Sequence, residues 1–217
     1  MRLIAVVGYT AAVVLRSFRW LPPLLLYGIV VVSATAGGPP LLDALHFAGA
    51  ALVPASAWLC RICLVAEPGA GRACVASAVG PARTQLAALV TAIGFAVLAA
   101  VVTCVVFALL GDPSGQLAGT ALWRAAATGW VSQLACLLTG VAVAAFANPP
   151  LIINRAVATL VTAGGVVLAM VLSFSPVYRA VSTDGAATAG IALAWAAGLG
   201  LLAVVCSCLG ARRAGWV

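Results

Sequence analysis

The sequence has no lysine, one histidine and four acidic residues, and 7 % of its 217 residues are charged. Soluble domains carry roughly 25 % charged residues, so this scarcity excludes an ordinary globular protein. The single histidine, His46, excludes a multi-histidine metal site, and no H-E-x-x-H occurs. A G-x-S-x-G elbow and a G-x-x-x-x-G-K-[ST] phosphate loop are also missing, as is any cofactor signature, so the chain reads as a non-enzyme. The two-residue alternation of a membrane barrel is absent too.

What is present is apolar. Hydrophobic residues make up 65 % of the chain, and the mean hydropathy is +1.22. A helix needs about 20 apolar residues to cross the hydrocarbon core, and inside lipid the backbone must satisfy its own hydrogen bonds. The fold class is therefore all-α: a polytopic membrane protein. Of seven cysteines, Cys104, Cys136, Cys206 and Cys208 lie in apolar runs, where the thiol acts as a small hydrophobe. Cys60 and Cys63 form a C-x-x-C, but no second pair or neighbouring histidine supports a metal, so they read as structural. His46, just after Asp43, reads as a partnered polar residue.

The chain divides into one transmembrane domain over 1–217. Residues 1–19 form an interfacial helix, too short to span, ending at Arg16 and Arg19. No small-residue cleavage site supports a signal peptide. Six spans follow at about 20–36, 41–65, 84–110, 117–147, 151–174 and 188–209, separated by "GGPP", a charged segment, "GDPSG", "NPP" and "SPVYRAVSTDGA". Pro54 predicts a kink in the second.

The arginines orient this array. Arg2, Arg16, Arg19, Arg61, Arg72, Arg83, Arg155, Arg212 and Arg213 fall on one side and only Arg124 and Arg179 on the other. Basic residues near span ends mark the cytoplasmic face, so both termini are expected there. The net charge of +7 is explained by this placement and not by nucleic acid. Ion-coupled carriers hold ionisable groups at mid-membrane, and no Asp, Glu or Lys sits there, so transport would draw its energy from another chain.

One segment interrupts the apolar pattern. In "AWLCRICLVAEPGAGRACVASAVGPARTQLAALV", residues 57–90, a span runs into an acidic Pro-Gly turn, a short helix and a G-x-x-R entry to the next span. Pro68–Gly69 and Gly80–Pro81 stop helices, so about 71–79 is a rigid cytoplasmic knob between the second and third spans. Its small residues Ala73, Ala76 and Ser77 permit close approach, and the flanking Glu67, Arg72 and Arg83 offer charge to a partner.

This segment, together with the six-span layout and N-terminal helix, resembles the membrane subunit of the type-2 permease family of ATP-binding-cassette transporters. The resemblance implies that the knob is a coupling helix docking on a cytoplasmic ATPase subunit. Asn148 and Arg155, around "NPP", would make a second, smaller contact. It further implies ATP and magnesium in that partner only, with no cofactor in this chain, and a second permease copy or a related permease. It also implies export across a bacterial cytoplasmic membrane, and the mostly apolar lining expected of the path would suit a hydrophobic or amphipathic cargo: a drug-like molecule, an antibiotic, a lipid or a modified peptide. Family members carry re-entrant helices between the last two spans; the short link at 175–187 predicts reduced ones here. Ser132, Gln133, Thr139 and Ser173 are candidates for a translocation path at the subunit interface. The alternative reading is a non-transport assembly or immunity factor that binds a partner through the same knob.

Overall fold

A computed structural model describes residues 2–35, 38, 40–110, 120–182 and 185–213. The "GDPSG" turn, Asp112, Asp184 and parts of "GGPP" lie outside the described residues. The described chain forms nine helices: α1 (Arg2–Arg16), α2 (Leu21–Thr35), α3 (Leu41–Leu64), α4 (Gly69–Val79), α5 (Pro81–Leu110), α6 (Thr120–Ala147), α7 (Arg155–Val171), α8 (Pro176–Val181) and α9 (Ala186–Arg213). Four of them, α3, α5, α6 and α9, are long and apolar enough to cross a membrane. Counting the bent pair α1–α2 as one broken span gives five.

Local chemistry explains the boundaries. The chain leaves α1 through Phe18, whose φ of 54° is left-handed backbone that stops a helix, and α2 departs at 77° to α1. The Trp20 indole N–H donates to Leu15 O at 3.1 Å across this corner. Gly80 joins α4 to α5 with φ 93° and ψ 144°, a conformation open to glycine only, and Pro81 then starts α5. Asn154 caps α7, its Oδ1 accepting from the amides of Ala156 at 3.0 Å and Val157 at 3.4 Å. This cap places the start of α7 after the NPP link, and extended backbone at Leu172 ends it. The span expected at 151–174 is thus a 17-residue helix, and that expected at 20–36 is the 15-residue α2. The short helix expected at about 71–79 begins at Gly69, because Pro68 sits at its N-cap. Pro54 lies inside α3 without ending it.

The centre of the fold is a parallel seam between α3 and α6. A side chain at Gly129 would meet Leu45 Cβ at 2.8 Å, and one at Gly49 would meet Gln133 Cα at 3.7 Å. A methyl group at Gly140 would collide with Ser56 Oγ and Val53 O. Residue numbers rise together on both helices, so they run the same way. The Cys60 thiol lies 3.8 Å from Val141 O, continuing the register. The helices come close because small residues, Gly49, Gly129, Gly140, Ser56, Ala57 and Cys60, stand at many of the contact positions.

Two ends can be defined. At one lie the C-termini of α3, α6 and α9, the N-terminus of α5, and α4. Gly210 packs beside Pro150 and Leu151, which brings the end of α9 to the 148–154 link. At the other end, Leu42, Arg124, Thr128 and Ala186 line a common crevice of ≈ 590 Å³ between the starts of α3, α6 and α9. Because α6 ends where α9 also ends, the chain must return between them. α7 and α8 make that return, held by the Asn148 Nδ2–Thr162 Oγ1 bond of 3.2 Å and by Gly165 against Val143. α8 tucks Pro176, Val177 and Ala180 into the bundle, and Arg179 stacks 5.6 Å over the Trp195 ring. In the same way α2 leads from the α1 side to the start of α3, and its Tyr27 hydroxyl meets Thr103 Oγ1 at 2.9 Å.

Candidate functional site at the arginine-rich end

α4 is the site's centre, and it divides the expected docking residues in two. Ser77 is exposed, as are Ala70, Cys74 and Ala78, which together form its outer face. Ala73 is half-buried and Ala76 is buried. Arg83, one turn into α5, is exposed and free of any ion pair among the described residues. Arg155 is also exposed; its carbonyl accepts from Arg61 Nη2 at 3.2 Å, which draws the ends of α3 and α7 together.

Arg72 points the other way. It is 7 % exposed, and its guanidinium donates through Nη1 to Leu64 O and through Nη2 to Gln85 Oε1. Leu64 O is one of the last α3 carbonyls, which lack an intrahelical partner. Burial pushes the Arg72 pKa down, and the Glu67 carboxylate partly offsets that; an arginine stays charged regardless. Glu67 sits in the α3–α4 turn, half-buried, facing the Tyr9 hydroxyl of α1. Hydrogen bonding to Glu67, then its charge, raises the Tyr9 pKa. Both expected docking charges at this turn are therefore engaged inside the chain.

Asn148 is 1 % exposed. Its Nδ2 donates to Ala144 O at 2.8 Å as well as to Thr162, so it fastens the α6–α7 link. The groove between α1 and α4, ≈ 520 Å³, is lined by Ala5, Val6, Tyr9, Cys74, Val75, Ala78 and Val79. It continues the outer face of α4 with apolar surface.

The residues considered for a translocation path do not share a surface. Ser132, Gln133 and Thr139 are buried on α6. Gln133 sits against Gly49 in the α3 seam, with its Oε1 3.8 Å from the Cys104 thiol. Thr139 bonds back to Ala135 O at 2.8 Å. Ser173 is exposed in the turn after α7. Sequence reasoning missed Gln85, Ser207 and Thr162, because isolated polar residues in apolar runs carry no signal of which face they occupy.

Cys60 and Cys63 are buried free thiols. Among the described residues, no three His, Cys, Asp or Glu side chains converge as a metal site would require. No family model, curated protein or solved structure matches the chain.

Proposed function

We propose that this chain is the membrane-spanning permease subunit of an ATP-driven exporter, pairing with a second permease copy or a related permease and with a separate cytoplasmic ATPase. The carrying observation is α4: a discrete helix outside the long apolar helices, bracketed by Pro68 and Gly80–Pro81, with an uncharged outer face. A rigid knob with small exposed residues fits a cleft in a partner better than a simple topology anchor would.

Six spans belong to this reading. α2 and α7 lead between the two ends of the bundle, although at 1.5 Å per residue they are about 22 Å and 26 Å long against a core of about 30 Å. The arginine-rich end is cytoplasmic in this reading, by the positive-inside rule, with α1 along the interface and both termini inside a bacterial cytoplasmic membrane. The cargo would be hydrophobic or amphipathic, since three of the four polar residues considered for a path, Ser132, Gln133 and Thr139, are buried within the chain.

The test uses Cys74, exposed on α4. A hydrophilic photocrosslinker attached there in native membranes should capture a P-loop ATPase, and Ser77→Arg should abolish the adduct. Capture of no protein, or of one without a nucleotide-binding loop, overturns the reading. A non-ATPase partner lost on Ser77→Arg would favour the assembly-factor alternative.

A further inference from the structure

The inward position of Arg72 has a mechanical meaning. Gln85 is fully buried and sits at the centre of a branched hydrogen-bond chain. Its Oε1 accepts from Arg72 Nη2, which fixes the amide so that Nε2 points the opposite way. Nε2 then donates to Pro149 O at 3.2 Å and to Ser207 Oγ at 2.5 Å. Through Arg72 Nη1 the same chain reaches Leu64 O. Five parts of the molecule meet in this one network: α4, the end of α3, the start of α5, the 148–154 link and the end of α9.

We propose that Arg72 and Gln85 form a latch that makes α4 and the arginine-rich ends of α3, α5 and α9 move as one body. A short helix of alanine and glycine has little apolar surface to hold it against a bundle, and α4 buries only Arg72 and Ala76. The planar guanidinium fork supplies what packing lacks, two directed donors at fixed geometry, which lysine cannot reproduce. Displacement of α4 would thus be handed through Gln85 to α9 at Ser207, which lies 122 residues beyond Gln85 along the chain. The outer face of α4 (Ala70, Cys74, Ser77, Ala78) is left clear of the latch. The latch is internal to the chain and does not rest on the ATPase reading.

The full chain in lipid nanodiscs, without partners, is sufficient for the test. Hydrogen exchange is followed over 69–79, and maleimide labelling at Cys63 and Cys208. Cys63 is 3 % exposed beside Leu64, and the Cys208 thiol lies 3.6 Å from Ala82 O at the start of α5. Arg72→Met keeps an apolar stem without donors and should speed exchange over 69–79 at least tenfold and open Cys63 to labelling. Arg72→Lys should fall between this and wild type. Gln85→Glu keeps the acceptor for Arg72 but loses the donor to Ser207 and Pro149. It should leave α4 protected while labelling at Cys208 rises. Unchanged exchange in Arg72→Met would show that α4 is held by packing alone and overturn the latch. Should Arg72→Met not fold, Gln85→Glu decides: Cys208 labelling equal to wild type overturns the transmission to α9.

Discussion

At the scale of single residues, the glycines of the α3–α6 seam do work that composition conceals. The chain has 22 glycines, and several, such as Gly94 and Gly190, have nothing within 4 Å of a would-be side chain. Gly140 differs, since its added methyl would strike the α3 backbone at Val53 as well as Ser56. Backbone cannot rotate away, so Gly140→Ala should cost about 1–3 kcal/mol by overpacking, while Gly94→Ala should be neutral or slightly stabilising. Thermal unfolding of both variants in detergent checks this; equal melting temperatures would refute the close seam. Arg72 shows the limit of reading charges one at a time. Its position next to a Pro-Gly turn says that the segment leaves the membrane, but not which way the side chain turns. That depends on Gln85, on a helix distant in space until the chain folds. Ser132 and Gln133 were equally illegible, because α6 is apolar on every side and gives no preferred face.

At the scale of elements, the expected boundaries rested on apolar run length and helix breakers. Prolines and glycines mark the ends of α3, α4 and α6 within a few residues. The departure at α7 has a local cause, an Asn154 cap that delays helix onset. Sequence hydropathy cannot register it, since Leu151, Ile152 and Ile153 outside the helix remain apolar. The shortness of α2 and α7 carries a prediction. Helices of about 22 Å and 26 Å would be mismatched to a core of about 30 Å, at fractions of a kcal/mol per Å. If both span, thermal stability after reconstitution should be highest in shorter-chain lipids and fall steadily as the acyl chains lengthen. Stability indifferent to thickness would mean that these two helices lie elsewhere, leaving α3, α5, α6 and α9 as the spans.

At the scale of the whole molecule, the arginines gather where α3, α6 and α9 end. This distribution was legible from the sequence because it follows from span order alone, whatever the packing. It yields a test of sidedness. A membrane-impermeant maleimide should label Cys74 in inverted vesicles and leave it untouched in intact cells. Cys60, Cys63 and Cys136, all buried, should remain unlabelled in both. Labelling of Cys74 from outside intact cells would reverse the orientation and remove α4 from any cytoplasmic partner.

What span order did not reveal is which helices touch. The central pair, α3 and α6, is parallel and joins residues far apart in sequence, such as Cys60 and Val141, 81 positions along the chain. This has a consequence for synthesis. When α3 enters the bilayer its partner has not yet been translated, and α5 must be placed first. For that interval Ser56 and the groove prepared for Gly140 face lipid with their complementary surface missing. A chain halted after α5 would hold helices that are greasy enough to stay in the membrane yet have no seam to close. Such a fragment should be cleared faster than the full chain, because only the arrival of α6 supplies the surface that closes the seam.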